Sequence, residues 1–246
     1  MLICVAYKWA PDPAEAAVDG AGQLDYSRAK ATISEYDAVA IQMARDLANS
    51  AGAELVGLTA GPPASAAPLA AKAALSRGLD SLTAVVDESL AQADAARTGQ
   101  ALAGAVRELG SVDLVITGDC SIDEGAGLVP GALAGQLGWP AVLEASKIVV
   151  EGSTVKLERA VAGVTELIEL AGPAVIGVAA GALAPKAPGM KDVMAAAKKP
   201  INRLTGADVG LGRAQGEVLA TAKLTGPARK GITIDASDPA AAAADL

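Results

Sequence analysis

The segment Gly118-Asp119-Cys120-Ser121-Ile122-Asp123-Glu124-Gly125-Ala126-Gly127-Leu128-Val129 carries the residues best suited to chemistry. It follows an apolar run, Asp113 to Thr117, and leads into a stretch that reads as helix to Leu137. Ser121 and Glu124 have the spacing of a capping box, which predicts a helix start with outward-facing backbone amides. Free amides and a helix dipole bind phosphate without Lys or Arg. The plainer reading is an N-cap turn with no ligand. Asp119, Asp123 and Glu124 are residue types of a hard-cation site or an acid/base pair. Nothing in the sequence buries them, and such clusters are common on solvated helix starts, so no metal is expected. Cys120 has no histidine to activate it and reads as a structural thiol. Tyr7 and Trp9 end the first apolar run and could stack on an adenine or flavin ring. Tyr7 alternates with Val5 and reads equally well as core.

What the chain lacks narrows the field. Among its 246 residues there is no histidine and no phenylalanine. Ser-His-Asp and Cys-His catalysis, imidazole zinc sites and histidine-held haem are excluded. Cys4 sits mid-strand and reads as core. It forms no CxxC pair with Cys120, and two cysteines cannot hold an iron–sulfur cluster alone. No GxxxxGK[ST] is present, and Gly210-Leu211-Gly212 does not follow a strand as a dinucleotide fingerprint would. The net charge of −8 argues against nucleic acid and anionic membranes as partners. The opening MLICVAYKWAP lacks the layout of a signal peptide, and no 18-residue apolar run exists. The expectation is a cytoplasmic protein without a membrane span. A hydrophobic fraction of 52% with 20% charged residues fits a folded chain of one large domain, or one domain with an appendage.

The elements that must position the loop follow from periodicity. Leu2 to Tyr7 is a continuous apolar run, as in a strand buried on both faces. Residues 10–33 form a long polar excursion. Ser34 and Asp37 give a second S-x-x-D capping signature, and Tyr36, Ala40, Met43, Ala44 and Leu47 continue it at helical spacing to Gly52. Strands are predicted at 54–60, 81–86, 113–117 and from 140 to 143, with helices ending near Leu75 and spanning 94–109. This alternation predicts a doubly wound, mostly parallel α/β sheet. Strand-like runs at 147–159, 166–170 and 173–178 look antiparallel and extend it. Lys198-Lys199 reads as a solvated helix end. Residues 205–246 are glycine-rich with little periodicity and read as an arm that needs a partner surface.

The residues resemble the beta subunit of electron-transfer flavoproteins over most of the chain. ICVAYKWAPDP is similar to that family's first strand and loop, and ISEYDAVAI to its N-P-F-D-E-I-A helix start. LTAGPP followed by AALSRGLDSLTAV resembles its GP … A-L-x-x-G-A-D segment. VITGDCSIDEGAGLVPGALAGQLGWPAV resembles its G-x-x-x-I-D … L-G-x-P stretch, the most specific part. VKLER, LAGPAVIGV and APKAPGMKDVMAAAKKPI look like its hairpin, its P-A-V strand and its K-K-terminated loop. SRGLDSL and MKDVMAAAKKPINRL lean toward the Fix-type branch, which serves anaerobic acyl-CoA reduction, carnitine metabolism and nitrogen fixation.

The resemblance implies a heterodimer whose alpha subunit holds the electron-transferring FAD, while the beta chain binds AMP, or a second FAD in bifurcating members. It implies an adenine-nucleotide-hydrolase-like fold with an antiparallel portion and a C-terminal arm. The division is a nucleotide-binding domain over 1–184, and a docking loop with an arm on the alpha subunit over 185–246. Nucleotide contacts would fall at Ala6, at Ser34, Glu35, Tyr36 and Asp37, at Ala60, and along Gly118 to Val129. A 3-2-1-4-5 strand order would set the first and fourth strands side by side at one crevice. Met190 stands where the family places an apolar anchor for a flavin-dependent acyl-CoA dehydrogenase or reductase. Ser34 replaces a frequent Asn, Gly127-Leu128-Val129 replaces an Asn-Gln-Thr-like triplet, and Ala162-Gly163-Val164 replaces an acidic turn. The chain is thus expected to carry electrons rather than make bonds. The alternative is a stand-alone regulatory module that binds an adenine nucleotide, although such a sensor has little need of a long arm.

Overall fold

The computed structural model describes residues 1–212 except 21 and 23, together with 219, 226–228, 230–235 and 237–244. The chain opens with β1 (Leu2–Ala6), followed by the short strands β2 (Trp9–Pro11), β3 (Ala17–Val18), β4 (Leu24–Asp25) and β5 (Ala31–Ile33). Alternating elements follow: α1 (Glu35–Ala51), β6 (Glu54–Gly61), α2 (Pro68–Leu75), β7 (Ser81–Val86), α3 (Ala95–Leu109), β8 (Leu114–Gly118) and α4 (Val129–Leu137). A meander of β9 (Ala141–Glu151), β10 (Thr154–Val161) and β11 (Val164–Ala171) leads to β12 (Ala174–Val178). The chain continues with α5 (Met190–Ala196), β13 (Ile201–Thr205) and α6 (Pro239–Ala244).

Nine strands form one sheet in the order β11-β10-β9-β12-β8-β1-β6-β7-β13. The expected doubly wound, mostly parallel α/β class is observed, with β1 and β8 adjacent and parallel. The place of residues 174–178 differs from expectation. The pattern predicts an antiparallel portion there, but β12 runs parallel between β8 and β9. The anticipated fifth strand is thereby moved one place outward. The physical reason is burial on both faces: all five residues of AVIGV are buried. In β10, TVKLERAV alternates, as a strand with one wet face must.

The sheet separates two cores. On one face Ile3, Val5, Ile116 and Ile176 pack against α1 and α2. On the other, Cys4, Val56, Val115 and Val175 pack against α3 and α4. Tyr7 belongs to the first core at 5% exposure, which settles its two readings in favour of packing. Cys4 is buried, as expected, and its thiol is pushed up to about 12, first by burial and then by the Glu54 charge. Both cysteines are free.

Two glycines let α3 lie close to its neighbours. A Cβ on Gly99 would sit 2.9 Å from the backbone of Ala132 and Leu133 in α4. One on Gly104 would sit 2.4 Å from the Val209 Cβ. Gly99→Ala is therefore expected to destabilise the fold by about 1–3 kcal/mol despite the better helix propensity of alanine. Denaturant unfolding tests this, and an unchanged midpoint would show that α4 can move away.

The chain after 185 begins against the sheet domain. Helix α5 packs on α2, and β13 pairs in parallel with β7. Lys199 corrects the expectation of a solvated helix end. Its ammonium donates to the Leu75 and Leu79 carbonyls, at 3.1 and 2.5 Å, and caps the end of α2. Much of the expected arm at 205–246, including 213–218 and 220–225, lies outside the described residues.

Candidate functional site

The carboxyl ends of β1, β6 and β8 meet at one side of the sheet, with Ala6, Ala60 and Gly118 at or near their last positions. Ala6 pairs with Leu58 on one side and with Thr117 on the other. Beyond the sheet lie the first turn of α1 and the loop from 119 to 128.

Ser34 and Asp37 do not form the expected capping box. Ser34 is the N-cap residue of α1, but its side chain makes no cap hydrogen bond. Its hydroxyl is fully buried and instead accepts the Ile122 backbone N–H at 3.2 Å. Asp37 accepts the Lys8 N–H at 2.8 Å and also the Gly118 N–H. One side-chain pair thus ties the ends of β1 and β8 and the loop to the start of α1. Burial pushes Asp37 up to about 7, against the opposing pull of these two amides and of the Lys8 charge. The neighbouring side chains differ: Glu35 is exposed, and Tyr36 lies beside Cys120, a neighbour that raises the phenol.

The second expected capping box also fails. Helix α4 begins at Val129, with Leu128 as N-cap residue and Pro130 in its first turn, not at Ser121. Residues 121–125 make a single turn closed by the Gly125 N–H on the Ser121 carbonyl at 2.9 Å. Gly125 and Gly127 then take φ of +61° and +65°, which a right-handed helix cannot continue through. Proline at the first helical turn fixes the later start. The backbone N–H groups of Ala126, Gly127, Leu128, Val129 and Gly131 find no acceptor among the described residues. Free amides run along the whole loop: Ile122 and Gly125 are taken, but the N–H groups of Ser121 and Asp123 also find no acceptor among the described residues. The Leu128 side chain is 64% exposed.

The acidic residues diverge. Asp123 and Glu124 meet the Lys8 ammonium at 2.8 and 3.3 Å. Burial opposes the Asp123 charge, but Lys8 and the Ser121 hydroxyl hold its carboxyl below the usual range. Asp119 instead accepts the Glu144 N–H at 3.2 Å. Burial raises Asp119, the Glu144 amide opposes this, and the Glu144 charge adds to it. No three metal-type side chains converge among the described residues.

Two participants were not anticipated. Lys8 was legible as the cation nearest the end of the first strand. Glu144 was not, because its φ of +61° arises at the β12–β9 register shift, which the residue type does not announce. Met190 opens α5 at 76% exposure, and Met194 one turn later is also exposed.

A doubly wound sheet of this kind presents a crevice outside the carboxyl ends of its strands, the usual place for a ligand in such folds. The family model described as Electron transfer flavoprotein domain matches residues 22–209. The chain belongs to the electron transfer flavoprotein family, whose members bind flavin and work with redox partners. Among the described residues, no helix is long and apolar enough to cross a membrane.

Proposed function

We propose that this chain is the beta subunit of a heterodimeric electron-transfer flavoprotein of the Fix-type branch. It passes electrons between a flavin-dependent acyl-CoA dehydrogenase or reductase and a second redox partner. The observation that carries the reading, beyond family membership, is the run of unused amides along the 121–131 loop, which the Lys8–Asp123 and Ile122–Ser34 contacts tie to the end of β1 and the start of α1. These donors fit one phosphate group of AMP or of a second FAD. The Lys8 ammonium is already shared by Asp123 and Glu124, so most of the phosphate charge falls to the amides. Ser34 and Asp37 hold the loop in place, and the flat ring of the nucleotide is assigned to the strand ends that carry Ala6 and Ala60. A flavin, when bound, supplies one- and two-electron transfer. The FAD that exchanges electrons is held mainly by the alpha subunit, and the arm that follows residues 206–212, which lie on this chain's own α3, packs on that subunit.

Met190 is the docking side chain toward the dehydrogenase. Its exposure on a short helix, with Met194 beside it, suits a weak apolar contact. Met190→Ala is expected to slow electron transfer with the dehydrogenase severalfold and to leave flavin content unchanged. Stopped-flow mixing reads the rate, and an unaltered rate removes the anchor role.

The deciding experiment denatures the chain, purified with and without a co-expressed alpha subunit, and identifies the released nucleotide by mass. AMP with this chain, and FAD only with alpha present, is the expected result for a simple carrier. Two flavins per heterodimer would indicate bifurcation. ATP without flavin or a retained alpha subunit would overturn the proposal in favour of a stand-alone nucleotide-binding module.

A further inference from the structure

A cleft opens beside the loop of the candidate nucleotide site and shares Glu35 and Ile122 with it. Its volume is about 360 Å³. Thr32 and Ile33 of β5 and Ala38 of α1 form one side, and Pro185 crosses the other. Glu35 and Ile122 are walls shared with the site already described, and Asp12 and Arg77 complete the lining. A volume near 360 Å³ is at the low end for small-molecule pockets.

Arg77 is the unusual member. It follows α2 and is half-buried, and burial pulls its guanidinium below the ordinary value with no opposing charge. Its side chain makes no ion pair or hydrogen bond within the described residues. The contrast with nearby Arg45 is direct: that side chain donates to the Gly78 carbonyl at 3.0 Å and pairs with Asp80 at 3.1 Å. The guanidinium donors of Arg77 are left to solvent, and an incoming carboxylate or phosphate can accept them in pairs. Asp12 and Glu35 supply the opposite charge on the same cleft without reaching Arg77. Asp12 uses one carboxylate oxygen to accept the Ala14 N–H, and Glu35 has no partner among the described residues. The remaining surface, from Ile33, Ala38, Ile122 and Pro185, is apolar.

We infer that this cleft binds a small zwitterion, with its carboxylate or phosphate on Arg77, its ammonium toward Asp12 and Glu35, and a short apolar middle. The ligand is an amino-acid-like molecule rather than a nucleotide. Because Glu35 and Ile122 face both sites, its binding shifts the loop that offers the nucleotide amides. The inference rests on Arg77 and its cleft, and it holds whichever nucleotide the crevice takes.

The test uses the full chain with ¹³C-labelled isoleucine methyl groups. Linear ω-amino acids, from glycine to 6-aminohexanoate, are titrated against the dicarboxylates of the same lengths. At least one ω-amino acid is expected to shift the Ile33 and Ile122 methyl signals saturably, and at least fivefold more tightly than its dicarboxylate counterpart. Arg77→Gln should weaken that binding tenfold or more with an unchanged melting temperature, and Arg77→Lys should retain part of it. AMP binding, measured separately by calorimetry, should survive Arg77→Gln within twofold, so failure of one site is distinguishable from failure of the other. No saturable shift across the series, equal or tighter binding of the dicarboxylates, or undiminished binding by Arg77→Gln would overturn the inference.

Discussion

Gly118→Ala is expected to lower the melting temperature by roughly 6–12 °C, a loss of about 3 kcal/mol in a domain of this size. A Cβ at this position would lie 2.7 Å from the Asp37 Oδ1, 2.9 Å from the Tyr36 carbonyl carbon and 3.0 Å from the Asp37 nitrogen. Two of those three atoms are backbone, and the third belongs to a carboxylate fixed by the Lys8 and Gly118 amides. Relief requires the whole first turn of α1 to retreat, and that turn carries Ser34, which holds Ile122. Loop and helix should therefore loosen together. Gly131→Ala is the control: nothing lies within 4 Å of its Cβ, and it sits inside α4. It should raise stability by about 0.5–1 kcal/mol. Calorimetric melting separates the two variants. A shift below 2 °C for Gly118→Ala would mean that α1 is not locked against β8.

The second large effect is in pH dependence. Asp37 titrates near 7 in the folded protein, against an ordinary carboxyl value of 3.8. Below about 4, folded and unfolded chains both hold this proton. Between about 4 and 7 only the folded chain holds it, and above 7 neither does. Stability from this group is therefore greatest at the acid end and falls as pH rises through the window, by up to roughly 4 kcal/mol. Asp37→Asn has no proton to lose. The difference in unfolding free energy between wild type and Asp37→Asn should shift by a few kcal/mol from pH 4.5 to 7.5, with wild type losing ground. Urea titrations across that range read it directly. Parallel curves would show that the buried carboxyl keeps an ordinary affinity for its proton.

Much of the central fold was legible because its strands are unbroken apolar runs. Residues 2–6, 54–61, 81–86 and 114–118 are strands where periodicity placed them, and the helices ending near Leu75 and spanning 94–109 also appear. The spatial order of the strands was only partly legible. Nothing local in AVIGV states that it will enter between β8 and β9, since that choice depends on covering both of its faces. β13 went unseen for a related reason, because its outward residues are exposed and only pairing with β7 makes it a strand. At the candidate site the residues were found but their duties were misread. Serine and aspartate at capping spacing suit local amides, but Ser34 and Asp37 bond to residues 88 and 29 positions away in the chain. Likewise the start of α4 was drawn too early, because Ser121 and Glu124 outweighed Gly125, Gly127 and Pro130.

The insertion of β12 has a consequence for synthesis. β9 is translated before β12, by about thirty residues, or some seconds of elongation. During that interval β8 has an open edge, and β9 is the nearest strand able to close it. The nascent chain thus has a tempting neighbour that the finished protein must keep apart from β8. A chain interrupted before residue 174 would have no means of separating them, and its exposed edge would recruit strands from other molecules. Quality control of this protein therefore hinges on the delivery of one five-residue segment, late in translation, to the middle of a sheet already half built.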